Sequence, residues 1–128
     1  MQPEPLINIH SLSAEERYAY LIQKVAETRM IWLISDGKSP VMLSDKSKQI
    51  LVPVWPDEAF TKAMLEDAWE DFLPKSMQLN SFLDWLNFLE GERIALACFP
   101  LGNLNGAVVS AGKMKQDLIE QMQKYGQG

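Results

Sequence analysis

The chain has 128 residues, which is close to the length of one ordinary domain. Its composition, 47% hydrophobic and 23% charged, is typical of a globular protein and too apolar for an intrinsically disordered chain. The formal net charge of −5 disfavours binding to nucleic acid, which needs a basic surface, and no apolar run is long enough to span a membrane.

The cysteine usage and the first residues indicate the compartment. Cys98 is the only cysteine, so it cannot form an intramolecular disulfide, and its apolar neighbours favour a buried thiol. Residues 1–12 contain two prolines and lack the basic and apolar regions of a signal peptide. We therefore expect a cytoplasmic protein with an N-terminal arm over 1–12 and a single domain over 13–128.

The first half of the chain predicts one helix followed by three strands. Ser13 and Glu16 have the spacing of a capping box, and the apolar positions that follow predict a helix over 14–28. Short apolar runs separated by turn residues then predict an antiparallel meander. These runs are 30–35, 41–43 and 49–55. Pro53 lacks a donor, so the third strand is expected at an edge, bulged, or near its end.

The second half predicts three helices and two further strands. Asp57 is the expected N-cap of a helix that ends before Pro74, and a third helix runs from Leu79 to Leu89. Strands at 94–99 and 108–109 precede a final helix capped by Ser110. The prediction is thus a single α+β domain in the order αβββααββα, with an antiparallel or mixed sheet of about five strands and about four helices.

Several short motifs, in this order and spacing, resemble a bacterial family catalogued as domain of unknown function 2750. The motifs are Glu16-Arg17-Tyr18, Leu51-Val52-Pro53-Val54-Trp55-Pro56, Pro74-Lys75, Phe82-Leu83-x-x-Leu86, Ala97-Cys98-Phe99-Pro100 and Val108-Val109-Ser110. The resemblance covers about residues 13 to 125. It implies a small bacterial cytoplasmic protein without a recognised cofactor, and it supplies no catalytic residues.

Two details qualify this resemblance. Ser110 is followed by Ala111-Gly112-Lys113, where the family pattern has a proline and acids, which puts the first turn of the last helix in doubt. More distantly, the strand that ends in Pro-Val-aromatic is similar to the N-terminal domain of the enhanced serine sensitivity protein B. That similarity implies a mixed sheet with helices on its faces.

Motifs for catalysis are sparse. His10 is the only histidine and lies in the expected arm, and a zinc site lacks the several Cys and His ligands it needs. Ser110 and Lys113 match the S-x-x-K spacing of penicillin-recognising enzymes, but an N-cap serine explains the pair and the companion motifs are absent. The sequence assigns no catalytic, cofactor-binding or metal-binding residue, and it favours a protein that is not an enzyme.

Carboxylates at strand ends leave a second hypothesis open. Asp36, Asp45 and Asp57 each follow a predicted strand or lie in a turn. They could serve a small-molecule-binding domain or a hydrolase, although turn and cap chemistry explains all three. A deep pocket with converging polar groups at these strand ends would support the hypothesis, and a flat surface would remove it.

The charge distribution carries the main functional hypothesis. Residues 57–71, here called the acidic segment, contain six acids against Lys62 alone, and the acids and bases of the remaining chain cancel. The segment is either a solvated helix face or a surface that attracts a basic protein partner, with aromatic anchors between the acids. The predicted partner-binding residues are Glu66, Asp67, Trp69, Glu70, Asp71, Phe72 and Trp55.

Tryptophan usage leaves a third hypothesis. Trp32 and Trp55 lie on strands of the predicted meander, where they either pack in the core or line a groove at the sheet edge. An exposed edge at the strand 52–55 would permit a structural homo-oligomer. Nucleic acid and membranes are not expected partners.

Overall fold

A computed structural model describes residues 11–67, 71–101 and 106–124, and the side chains of Ala63, Glu66 and Asp67 lie outside that description. Within these residues the chain forms four helices and six strands. In chain order they are α1 (Ala14–Thr28), β1 (Met30–Ser35), β2 (Leu43–Ser44), β3 (Ile50–Val54), α2 (Glu58–Asp67), β4 (Leu73–Gln78), α3 (Leu79–Gly91), β5 (Ala95–Cys98), β6 (Ala107–Val109) and α4 (Ala111–Lys124). The predicted α+β class is confirmed. Residues 1–10 of the expected arm lie outside the described residues.

The first helix has the predicted bounds and the predicted cap. The Glu16 amide donates to Ser13 Oγ at 3.1 Å, and the Ser13 amide donates to Glu16 Oε1 at 2.8 Å. Arg29 ends the helix in the left-handed conformation, and its amide donates to the Val25 carbonyl. The cap residues therefore set where α1 begins, while the apolar stripe decides which face is buried.

The strands form two sheets instead of one meander. β1 and β4 form an antiparallel two-stranded ribbon, and the other strands form a four-stranded sheet in the order β2-β3-β5-β6. β3 and β5 are parallel, whereas their outer neighbours are antiparallel, so the predicted mixed sheet is confirmed. β1 and β3 are joined by the isolated bridge between Trp32 and Trp55, and within the described residues they form no continuous ladder. The predicted three-stranded meander is wrong in this respect.

β4 is the element that the sequence pattern missed. Its sequence, LPKSMQ, contains a proline and a lysine and lacks clear alternation of apolar residues, so we expected only the exit of a helix there. Six backbone register pairs with β1 hold it, from Met30–Gln78 to Ser35–Leu73. The pairing with an apolar strand more than 35 positions away, a tertiary effect, overrides weak local propensity.

Pro53 lies in an interior strand, one residue before its end, so of the three expected placements the structure shows the one near the strand end. The Phe99 amide donates to the Val54 carbonyl at 2.8 Å on the β5 side, and Trp55 exchanges two 2.9 Å bonds with Trp32 on the opposite side. Because alternate residues of a strand direct their backbone groups to the same side, position 53 faces the side of Trp32 and the short strand β2. The missing donor of Pro53 therefore leaves the β3–β5 pairing intact.

The core lies between the two sheets and the helices. α1 contacts β1, β5, β6 and α4, and α3 contacts the β1–β4 ribbon as well as α4. Of the four predicted inward positions of α3, Phe82, Leu86 and Leu89 are fully buried, and Leu83 is partly buried against the core. Cys98 is also fully buried, and burial raises the pKa of its thiol, so the thiol is protonated at neutral pH.

The turn after β5 has an unusual backbone. Phe99 has a φ of 55°, in the left-handed region that costs a residue with a side chain about 1–2 kcal/mol. Gly106 approaches this turn so closely that a Cβ there would lie 2.7 Å from the Cys98 carbonyl oxygen. This close approach of the backbone at position 106 to the end of β5 thus requires glycine there.

Candidate functional site

The acidic segment begins at the carboxyl end of β3 and runs along α2. The Asp57 carboxylate accepts a hydrogen bond from the Ala59 amide at 3.1 Å, which agrees with its predicted capping role. Lys62 lies 3.7 Å from Glu58, and the two side chains are 63% and 43% exposed. The one base of the segment is therefore already paired with an acid on the same helix, and so exposed a pair contributes little stability.

The far end of the segment brings an acid beside apolar side chains. Asp71 is exposed, Phe72 is partly buried against the core, and Leu73 is 61% exposed. Trp69 and Glu70, and the side chains of Glu66 and Asp67, are outside the described part of the chain. The structure thus places Asp71 and Phe72 together among the predicted partner-binding residues, and it adds Leu73.

Trp55 does not belong to this surface. It is fully buried, and its indole Nε1 donates to the Pro100 carbonyl at 2.9 Å. A fully buried ring cannot contact a partner, so the predicted groove at Trp55 is wrong and its role is core packing. The strand 52–55 is also flanked on both sides, which rules out that strand as the exposed edge of a homo-oligomer.

The strand-end carboxylates are engaged in turns. Asp36 Oδ1 accepts from the amides of Lys38 and Ser39, both at 2.8 Å. Asp45 Oδ1 accepts from the amide of Ser47 at 2.9 Å, from its hydroxyl at 2.8 Å, and from the Gln49 amide at 2.9 Å.

These hydrogen bonds also set the charge of the two carboxyl groups. They lower the pKa of Asp36 chiefly through the Ser39 amide and that of Asp45 chiefly through the Ser47 hydroxyl. Both groups are exposed and ionised at neutral pH. Their role in the described structure is to fix the β1–β2 and β2–β3 connections, as turn chemistry predicts.

Polar groups converge between two helices instead of at the strand ends. Tyr18 of α1 donates to Asp117 Oδ2 of α4 at 2.5 Å, and Lys113 Nζ lies 3.0 Å from the same oxygen. A groove of about 230 Å³ opens beside them. The groove is lined by Tyr18, Ala19, Ile22, Asp117, Glu120, Gln121 and Lys124.

Sequence reasoning missed this cluster because its members are far apart in the chain. Tyr18 and Asp117 are 99 positions apart, and only the packing of α1 on α4 brings them together. Burial and the bond to Asp117 raise the pKa of Tyr18. The phenol is therefore a neutral donor at physiological pH, which suits a link between two helices better than a nucleophile or a general base.

Tyr18→Phe is expected to lower the free energy of unfolding by about 1–2 kcal/mol at neutral pH, because it removes a hydrogen bond to a charged group. The raised pKa makes this contribution complete below the ordinary tyrosine value of 10.0 and lost as the pH rises further. Urea denaturation of both proteins across alkaline pH tests this. The gap between them should narrow above pH 10, and a constant gap contradicts the assignment.

Three of the motifs that carry the family resemblance meet at one buried place. It is here called the carboxyl-end junction and is formed by Arg17, Val54, Trp55, Phe99 and Pro100. The carboxyl ends of the parallel strands β3 and β5 are joined there by the bonds of Phe99 to Val54 and of Trp55 to Pro100. Arg17, from α1, donates through Nε to the Phe99 carbonyl at 3.1 Å. The residues of these motifs therefore stabilise the fold by joining α1, β3 and the end of β5.

The comparison with protein families agrees with these motifs. A family model described as "Protein of unknown function (DUF2750)" matches residues 18–118, most of the chain. The chain belongs to the DUF2750 family. The DUF2750 match includes the acidic segment and both partners of the Tyr18–Asp117 bond.

The other two comparisons add nothing to the DUF2750 assignment. No curated protein matches the chain, and no solved structure matches it. The more distant similarity to the N-terminal domain of enhanced serine sensitivity protein B is not shown. The last helix also begins as a capped helix despite its departure from the family pattern, since the Lys113 amide donates to Ser110 Oγ at 3.1 Å.

Two kinds of site are absent from the described ranges. No helix within them combines the length and apolar character that crossing a membrane requires. Among the same residues, no group of three or more His, Cys, Asp or Glu side chains is arranged to hold a metal ion.

Proposed function

We propose that this DUF2750 chain is a non-enzymatic protein-interaction module whose acidic segment, together with Phe72 and Leu73, binds a basic region of a partner protein. The observation that carries the proposal is the concentration of the whole net charge of −5 in residues 57–71. The proposed setting is the bacterial cytoplasm, which the family resemblance and the buried, unpaired Cys98 support.

Electrostatics supports the proposal at the level of encounter. A surface of one charge sign raises the association rate of an oppositely charged partner and disfavours partners of like charge. Within α2 the one basic residue, Lys62, is paired with Glu58, so it does not offer a free positive charge to the approaching partner. A basic partner is therefore expected to associate faster at low ionic strength.

An apolar anchor supports the proposal at the level of affinity. Binding energy in interfaces is concentrated in a few apolar or aromatic side chains surrounded by polar ones. Leu73 is 61% exposed and follows the acid Asp71 by two positions, and Phe72 between them is half-buried. Trp69, three residues before Phe72 in the sequence, is the proposed aromatic anchor.

Charge reversal of the segment is expected to abolish partner capture. The test variant replaces Glu66, Asp67, Glu70 and Asp71 by lysine, and the tagged protein is used to capture partners from the native host for mass spectrometry. A matched control reverses four acids elsewhere and so has the same net charge. The control positions, all exposed, are Glu15, Asp84, Glu92 and Glu120.

The proposal predicts basic proteins that the wild type and the control variant capture and the test variant loses. Circular dichroism and thermal unfolding of both variants show that the fold persists. If the test variant captures the same proteins as the wild type, the acidic segment is not the binding surface. Equal loss in both variants identifies an effect of total charge and likewise contradicts the proposal.

A further inference from the structure

The backbone of β4 has one edge whose hydrogen-bonding groups point away from the ribbon. Trp32 of β1 exchanges both of its backbone bonds with Trp55, so its groups face away from β4. Ile34 likewise accepts from the Val41 amide on that side. Their register partners across the ribbon, Ser76 and Pro74, therefore form non-hydrogen-bonded pairs.

The outer edge of β4 consists of Pro74, Ser76 and Gln78, whose backbone groups face outward by this alternation. The pair Arg29–Leu79, which follows Met30–Gln78, agrees with this alternation, because the Leu79 amide donates inward to the Arg29 carbonyl at 2.9 Å. In the described part of the chain, no strand pairs with this edge. Both α2 and α3 contact β1 as well as β4, which places the helices over the faces of the ribbon and not along its edge.

This edge is complementary to itself. In an antiparallel pair centred on Ser76, the amide and carbonyl of each Ser76 bond to those of the other copy. The Gln78 amide of each copy then donates to the Pro74 carbonyl of the other. Pro74 has no amide hydrogen to donate to the Gln78 carbonyl of the other copy. No donor is needed there, because Gln78 is the N-cap of α3 and its carbonyl already accepts the first bond of that helix.

The charges along the edge allow the same arrangement. Although the protein is acidic, residues 72–83 contain no acid and only one base, Lys75. In the antiparallel pair centred on Ser76, the exposed Asp71 of one copy would lie beside the beginning of α3 in the other. That helix has no acid in its first turn and no side-chain cap at Gln78, so its positive end complements the Asp71 carboxylate.

From this arrangement we infer that the outer edge of β4 is a homodimer interface, in which two copies join their ribbons into one four-stranded antiparallel sheet about a two-fold axis at Ser76. The inference does not depend on the function proposed for the acidic segment. Association through the strand 52–55 is excluded because that strand is interior. The outer edge of β4, in contrast, has backbone groups available for pairing with a second copy.

Light scattering of the purified full chain, at micromolar to millimolar concentration, tests the inference. The wild type should approach twice the chain mass of 14.5 kDa. Ser76→Pro removes an outward donor that the monomer does not use and should return the mass to that of one chain. The matched control Ser76→Ala keeps the donor and should remain dimeric, and thermal unfolding shows whether each variant is folded.

A crosslink keeps the test decisive if Ser76→Pro fails to fold. In a hydrogen-bonded antiparallel pair the two Cα atoms at position 76 lie about 5.5 Å apart, within the range that a disulfide spans. Ser76→Cys should form a covalent dimer on mild oxidation, whereas Asp84→Cys, exposed on α3, should not. A wild type that stays monomeric throughout, or equal crosslinking at both positions, overturns the inference.

Discussion

Trp55→Ala is expected to lower the free energy of unfolding by about 3–5 kcal/mol, the range for removing a large buried aromatic side chain. Trp55 is fully buried and is among the largest enclosed side chains of the protein. Its indole also donates to the Pro100 carbonyl at 2.9 Å. Truncation would leave a cavity at the carboxyl-end junction and remove the donor to that carbonyl.

Trp55→Phe separates the two contributions, because it keeps most of the apolar volume and loses the indole donor. We expect a smaller loss for this variant than for Trp55→Ala, with the difference reporting the cavity. Chemical denaturation at neutral pH measures both. A loss below about 1 kcal/mol for Trp55→Ala would match an exposed tryptophan and contradict the buried position.

Arg17→Met is expected to lower the free energy of unfolding by about 2–4 kcal/mol, because two backbone carbonyls lose donors from a buried charged group. Arg17 is 5% exposed. Its Nε donates to the Phe99 carbonyl at 3.1 Å, and Nη1 donates to the Leu12 carbonyl at 2.9 Å. The first of these bonds helps to hold Phe99 in its left-handed conformation, which is unfavourable without such support.

Arg93→Met is the matched control, since it removes the same charge from an exposed residue. Surface substitutions of this kind usually change stability by no more than about 0.5 kcal/mol. Thermal and urea unfolding of the two variants should therefore separate clearly. Equal effects would show that Arg17 acts through net charge and not through its buried hydrogen bonds.

Local signals predicted the starts of α1, α2 and α4 because Ser13, Asp57 and Ser110 accept hydrogen bonds from the first amides of these helices. The bounds of α1 follow from Ser13 and Glu16, and α4 begins after Ser110 as predicted. The buried positions of α3 follow from helical periodicity alone. Such signals act within a few residues, so one sequence contains them.

Strand pairing was predicted less well because it depends on partners distant in the chain. β4 has little intrinsic strand character, and it forms because β1 offers apolar residues and backbone groups across the ribbon. The carboxyl-end junction also depends on distant partners. No residue near Phe99 in the sequence predicts its left-handed backbone conformation. It is held by α1 and β3, which are far away in sequence.

The candidate site divides along the same line. The charge of the acidic segment is a property of composition and was visible in the sequence. Whether an apolar side chain in or near it is exposed is a tertiary property, which is why the sequence favours the buried Trp55 and does not reveal the exposed Leu73. The Tyr18–Asp117 bond depends on helix packing and left no sequence signal.

Backbone amide NMR shifts, measured as a captured basic partner is titrated into the full chain, test the proposed function most directly. We expect shift changes concentrated in residues 57–73 that weaken as salt is added. Amides lining the groove between α1 and α4, such as those of Ile22 and Gln121, should stay unchanged. Changes centred on that groove, with residues 57–73 unaffected, would contradict the proposed interaction surface.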